Sequence, residues 1–440
     1  MIRYVGLDVH KHFVEVCILD QKGKALYRGR VDCCRAALQH FAQHRLKRSD
    51  HVALEATTNT WPVVEILRPF VARVVVSNPL KTKAIAEAKI KTDKVDAEVL
   101  AQLLRCDYLP DVWQPDEKTQ AQRSLITHRM GLTCRRTRHK NRIQCLLGRL
   151  LLSPPCRLLW TEAGRAWLKS LDLAPVDRLI LDSELRQLQQ VELELAVLDR
   201  ELVEIARQEP RVKLLMTLPG VNYVAALGLI AALGDIHRFC DGDHAASYLG
   251  LVPSTRQSGH KCYHGHVTKA GNSQARWLLT QSAQHVARHP GPLGAFFRRL
   301  AKRKNRQVAI IAVARKLVIV AYLMLKNNEP YRYARPDLMA KKFTQLRSKH
   351  KVAQPRTAQP SLRPLARTGL PAVYEAVGLP AVTVPEQLPA GERRMLADRK
   401  LTDFVQQLYI PGESQLTANA DGEPKRPNKK GKDRPAGRSG

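Results

Sequence analysis

The chain contains no Cys-x-x-Cys pair, although it holds nine cysteines (Cys17, Cys33, Cys34, Cys106, Cys134, Cys145, Cys156, Cys240 and Cys262). They are scattered and odd in number, which argues against a zinc ribbon or a disulfide framework and for a reducing, cytoplasmic setting. Met1-Ile2-Arg3 runs straight into a strand pattern without a long apolar segment, so no signal peptide is expected. An uninterrupted apolar run of membrane length is also missing. The nearest, Val308 to Leu325, carries Arg315-Lys316 and reads as a core helix, so no membrane partner is expected. Acid is scarce too: 40 Asp plus Glu face 72 Lys plus Arg, a net charge of +32. An excess that large calls for a polyanion, most simply DNA or RNA.

What is present is enough for two or three domains, with 440 residues of which 44% are hydrophobic. The few acids are not evenly spread. Lys91-Thr92-Asp93-Lys94-Val95-Asp96-Ala97 sets two carboxylates on one face of a helix start. Acids in a first turn suit the helix dipole, and Thr92 or Asp93 could cap the free amides, so by itself this stretch has an ordinary explanation. Two more acids, Asp8 and Glu55, each sit where a strand pattern runs out. Four convergent carboxylates repel strongly unless a divalent cation holds them, which points to Mg2+.

Read in order, residues 2–9, Val14–Leu19 and Ala25–Val31 alternate as strands around the turn Asp20-Gln21-Lys22-Gly23. A helix over 34–45, a strand over 51–55, a helix over 60–70 and a strand over 72–77 follow, then the helix that carries Asp93 and Asp96. This α/β succession resembles the ribonuclease-H-like (RuvC-like) fold. In that fold, acids on the first strand, the fourth strand and a late helix meet at one edge of the sheet, and Asp8, Glu55 and the Asp93/Asp96 pair take those places.

Gln120 to Leu152 is helical and basic, with Arg135, Arg136, Arg138, Lys140, Arg142 and Arg149. Such a run is either a solvated face or a phosphate-tracking helix. Leu188, Val191, Leu195, Leu198, Leu202 and Ile205 then form a short coiled-coil seam, which a helical hairpin or a dimer contact explains equally well. Leu218-Pro219-Gly220-Val221 opens a turn between helices whose amides could hold a phosphate. Between Gly250 and Asn272 the chain is too polar for core, and Ser258-Gly259 reads as a β-turn with the hydroxyl exposed. His260, Cys262, His264 and His266 alternate and mimic a zinc site, but four ligands in line on one strand cannot close a tetrahedron. Arg298, Arg299, Lys302, Arg303, Lys304 and Arg306 form a second basic block. Beyond Tyr333 prolines recur, and Lys425, Arg426, Lys429, Lys430 and Lys432 end a stretch read as largely disordered.

Gly6-Leu7-Asp8-Val9-His10-Lys11, Leu54-Glu55-Ala56-Thr57, Asn78-Pro79 and Lys91 to Ala97 together resemble the motifs of the DEDD transposases of bacterial insertion-sequence family 110, a group that includes the Piv invertases. Leu218 to Val221, Gly250-Leu251-Val252-Pro253, Ser258-Gly259 and Thr268-Lys269-Ala270-Gly271-Asn272 resemble that family's second domain, so the likeness spans roughly 1–335 in consistent order. It implies a RuvC-like catalytic domain over 1–115, a basic helical and coiled-coil region over 116–208 and a mainly α transposase domain over 209–335, whereas the Pro-rich basic tail over 336–440, read from composition, is longer than the family core requires. The likeness implies Mg2+ on Asp8, Glu55, Asp93 and Asp96, and Ser258 as the nucleophile, with Ser254 close enough to compete for that role. DNA as substrate, a structured guide RNA and a dimeric or tetrameric assembly are implied as well. Nucleic-acid contacts are expected from the first basic run and from Lys269, Arg276, Arg298, Arg299, Lys302 and Arg303. Two rivals share these residues: a junction nuclease in which water attacks, leaving free 5′ phosphates, and a non-catalytic nucleic-acid-binding scaffold.

Overall fold

The structure, a computed structural model, describes residues 1–85, 93–155, 159–259, 261–349 and 361–409. Lys91, Thr92, Cys156, His260 and the basic residues after 409 lie outside the described residues. The chain divides into two units at Asp116/Glu117.

The first unit is a five-stranded sheet in the order β3-β2-β1-β4-β5. Its strands are β1 (Tyr4–Val9), β2 (Phe13–Leu19), β3 (Ala25–Asp32), β4 (His51–Glu55) and β5 (Arg73–Ser77). The first three pair antiparallel, whereas β4 runs parallel to both β1 and β5. Helices α1 (Arg35–Arg45) and α2 (Thr60–Leu67) cover one face, where Val5, Leu7, Val52 and Leu54 pack against Leu38, Phe41, Val63 and Leu67. After α3 (Pro79–Ile85), helix α4 (Asp93–Arg105) covers the other face, meeting Cys17, Leu19, Ala53 and Val75 through Ala97, Leu100, Ala101 and Leu104. Strands buried on both faces read as continuous apolar runs, which is why β1 and β2 show so little alternation.

The second unit is almost wholly helical. Helix α5 (Glu117–Arg149) and, beyond α6 (Glu162–Ser170), helix α7 (Pro175–Gln208) form a long antiparallel hairpin, since Arg149 meets Asp177, Arg142 meets Glu184 and Arg129 meets Asp199. Leu188, Val191 and Leu195 of the seam are buried within this hairpin, and Leu202 reaches the main core. The seam is therefore filled within one chain.

Next come α8 (Pro210–Met216), α9 (Tyr223–Leu233), α10 (Gly242–Tyr248), the ribbon β6 (Pro253–Ser258) and β7 (Lys261–Val267), α11 (Ser273–Val286), α12 (Pro292–Ala301) and α13 (Arg306–Asn327). Helix α13 is long and apolar enough to cross a membrane, yet Val313, Leu317, Val318 and Ala321 along it are buried in the protein core, as expected of a core helix.

The expectation of a disordered segment from 336 onward is corrected for its described part. Helices α14 (Pro336–Lys349), α15 (Leu362–Leu365), α16 (Leu370–Ala376), α17 (Ala390–Asp398) and α18 (Thr402–Tyr409) add Phe343, Leu370, Tyr374, Val405 and Leu408 to the same core as α9 and α13. Pro336 and Pro371 stand in the first turns of helices, where a missing N–H leaves no bond unmade. The Tyr374 hydroxyl is fully buried and donates to the Tyr331 carbonyl at 2.8 Å.

Candidate active site

The first unit's site follows from where α4 crosses the sheet. A Cβ on Gly6 would lie 1.9 Å from the Ala97 carbonyl oxygen and 2.7 Å from the Ala101 amide, so only glycine lets the helix backbone lie directly on β1. The first turn of α4, four residues before Ala97, then comes over the strand end, two residues beyond Gly6, where Asp8 stands. Cross-strand register adds Glu55. Gly6 is opposite Ala53, and two residues further on each strand the same face carries Asp8 and Glu55 side by side.

Asp8, His10 and Asp93 converge, with one ligand atom from each lying within 4.8 Å of the others. His10 Nε2 is 3.0 Å from Asp8 Oδ2 and 3.5 Å from Asp93 Oδ1. Burial pushes the Asp8 carboxyl above its ordinary range; His10 pulls it down, and the charges of Asp93 and Asp96 push it up again. Of the four acids picked out in the sequence, the fold thus brings Asp8 and Asp93 to ligand distance. It couples Asp96 to Asp8 electrostatically and sets Glu55 on the same face of the neighbouring strand. His10 was missed as a site residue. Its signal was present, two residues past Asp8 and hence on the same side of an extended chain. Glu15, opposite Asp8 on β2, is buried and neutralised by Arg30 at 2.6 Å, so it belongs to the sheet rather than to the cluster.

Because α4 is seated on Gly6, Gly6→Ala is expected to lower the unfolding free energy by about 1–3 kcal/mol, as overpacking does. Hydrogen-exchange protection of the α4 amides should fall with it. Unchanged protection there would mean that α4 is held by other contacts.

In the second unit the β6–β7 ribbon stands away from the core, and every residue of β6 is exposed. Ser258 ends β6 opposite Lys261, and Gly259 takes a φ of +56° in the turn. By alternation Ser258 shares its face with Arg256, which pairs with Tyr263. Ser254 lies towards the base of the ribbon, its Oγ over Gly265, 2.5 Å from where a Cβ there would be. His264 Nδ1 is 3.1 Å from the Thr255 hydroxyl, and Cys262 and His266 do not join it in a metal-sized cluster among the described residues.

The basic residues separate by what they touch. Arg135, Arg136 and Arg138 of α5 make no ion pair among the described residues, and Arg135 and Arg138 are exposed. Lys140 and Arg142 are engaged by Glu192 and Glu184. Arg276 donates to the carbonyls of Leu249, Ala270 and Gly271, bracing the base of the ribbon. Arg298 donates to the carbonyls of His289 and Pro290. Arg299 lies over the Phe296 ring, and Lys269, Lys302 and Arg303 are exposed.

Comparison with known proteins agrees across both units. Residues 5–151 match a DEDD-type IS110 profile described as transposase, and residues 212–298 match the transposase IS116/IS110/IS902 family; together these cover just over half of the chain. A putative transposase, y4qE, of Sinorhizobium fredii is 28% identical over 66% of this chain and 73% of its own length. The transposase for insertion sequence element IS1111A of Coxiella burnetii is 25% identical over 75% of this chain and 92% of its own. The pilin gene-inverting protein of Moraxella bovis is 26% identical over 74% of this chain and 97% of its own.

Proposed function

The chain belongs to the IS110 family of insertion-sequence transposases, and we propose that it cuts and rejoins DNA with Asp8, Glu55, Asp93 and Asp96 as Mg2+ ligands and Ser258 as nucleophile. The strand order 3-2-1-4-5, with its last two strands parallel to the first, supports a ribonuclease-H-like, RuvC-like reading of the first unit.

The observation that carries the proposal is the convergence of Asp8 and Asp93 on one point, with Asp96 near enough to bias Asp8. Hard carboxylate oxygens crowded at the edge of a sheet suit a hard divalent cation, and the His10 ring nitrogen lies within reach of both carboxylates. Bound there, the cation would neutralise charge developing on a phosphate and on its leaving oxygen. The carboxylates' own role is to hold it and fix its position.

Ser258 Oγ attacks phosphorus, the bond from phosphorus to the 3′ oxygen breaks, and the serine proton is balanced by protonation of the departing 3′ hydroxyl. The 5′ phosphate stays on the serine, which conserves the bond energy for rejoining. Arg256 and Lys261, on the same exposed ribbon, supply positive charge for the strand. The exposed face of α5 with Arg135, Arg136 and Arg138 would hold nucleic-acid backbone, including the structured guide RNA that the family likeness suggests. A homo-oligomer, dimer or tetramer, belongs to the same proposal.

Calorimetric titration of the full chain with Mg2+ tests the acids independently of turnover. Binding is expected in the parent chain and lost in Asp93→Asn, and cleavage of DNA carrying the element's ends should stop in a chelator and return with Mg2+. Cleavage that continues in the chelator would overturn the metal assignment.

A further inference from the structure

The cavity beside the Pro219–Asn222 turn is not used by the chemistry described above. It encloses about 460 Å³, and its wall is completed by α14. Lys342 fixes that helix to the turn, donating to the carbonyls of Met216, Leu218 and Val221 at 2.8, 2.8 and 2.9 Å, so the cavity is preformed. Arg335, Lys341 and Lys342 come from residues beyond both matched stretches of the family profiles.

The lining has two parts. Arg288, Arg335 and Lys341 bring positive charge, burial lowers the pKa of the Lys342 ammonium to about 7, and no acid lines the cavity. Arg335 is paired with Asp337, which leaves Arg288 and Lys341 as exposed cations without an ion pair among the described residues. Leu338 and Pro290 add exposed apolar surface to the lining, while Val221 and Met339 are buried in the core. His289, also in the lining, is buried. Burial, followed by the nearby charges of Arg335, Lys342 and Arg298, lowers its pKa to about 4, and its Nδ1 accepts from the Gly291 amide at 3.1 Å. The neutral ring therefore carries its proton on Nε2.

Contacts to phosphate and sugar alone need no apolar surface. A cavity within the roughly 300–1,000 Å³ of small-ligand sites, lined by both apolar and cationic side chains, suits a base and its phosphate together. We propose that this cavity takes one unpaired nucleotide of the nucleic acid bound by the transposase, its base against Leu338 and Pro290 and its phosphate on Arg288 and Lys341. Unpaired nucleotides can be splayed out of a strand in this way, whereas paired ones cannot. The site binds without cutting, so it stands apart from the serine chemistry.

The test measures binding to the full chain of each ribonucleoside 5′-monophosphate, each deoxyribonucleoside 5′-monophosphate and inorganic phosphate. At least one nucleotide is expected to bind about tenfold more tightly than phosphate. Leu338→Trp, which fills the cavity without changing charge, should remove that advantage and leave phosphate affinity unchanged. The exposed pair Arg288→Gln and Lys341→Gln should weaken nucleotide binding even if Leu338→Trp fails to fold. A preference for the ribose or the deoxyribose form assigns the occupant to RNA or DNA. No advantage of any nucleotide over phosphate, or an advantage that survives these substitutions, overturns the proposal.

Discussion

Asp8→Asn is expected to lower DNA strand cleavage by about 10³-fold or more, the scale on which removal of one member of a cooperating catalytic set acts. The change keeps the shape of the side chain and removes one charge from a place where the charges of Asp93 and Asp96 already act on it. Nucleic-acid binding should persist, and in the absence of divalent metal it should tighten, because carboxylates beside a phosphate hinder binding when nothing screens them. That combination separates an enzyme from a scaffold. A scaffold would gain the same affinity, but it would have no cleavage to lose. Asp107→Asn is the control: Asp107 is exposed, 3.7 Å from Arg73 and outside the acidic cluster, and Asn tolerates its φ of 54°. Gel-based cleavage and filter binding on the three proteins read both quantities. Equal cleavage by Asp8→Asn and Asp107→Asn would remove Asp8 from the chemistry.

The order of strands and helices through α4, apart from the short α3 after Asn78, was legible because each β-run is bounded by its own turn signals and because Asp93 and Asp96 mark a helix start by their spacing. That Asp8 and Asp93 would meet depended on Gly6, whose role is a close approach of backbone to backbone that no periodicity encodes. His10 escaped notice since a histidine near an acid has many ordinary explanations. The prolines after residue 335 were misleading in a physical sense: spacing shows that a chain cannot continue a helix, but not that Leu370, Tyr374, Val405 and Leu408 find a core built by distant residues of α9 and α13. Positive charge was equally ambiguous. Arg276 and Arg298 look like phosphate ligands in sequence, and in the fold each also donates to backbone carbonyls. Arg135 and Arg138 carry the same charge without such partners.

Ser258→Ala is expected to abolish the covalent protein–DNA adduct, lowering it by about 10³-fold or more, whereas Ser254→Ala leaves most of it. The two serines lie on one strand, about 13 Å apart at the usual rise of 3.3 Å per residue, so one bound phosphate cannot serve both. Ser258 sits at the tip, facing Lys261 across the turn and sharing a surface with Arg256, where an incoming strand meets positive charge first. Ser254 is over Gly265 near the base, with the bulge of the ribbon beside it. Denaturing gels of end-labelled DNA, with and without protease, separate the readings. Loss of both adduct and cleavage in Ser258→Ala makes the serine the attacking group. Loss of adduct with cleavage retained, and free 5′ phosphate ends, transfers the attack to water and makes the chain a metal-dependent nuclease. An adduct that persists in Ser258→Ala and disappears only with Ser254 also changed would move the nucleophile to the base of the ribbon. The charge pattern opposes that last outcome, because Ser258 has Lys261 opposite it as well as Arg256 on its face, whereas Ser254 lies over Gly265.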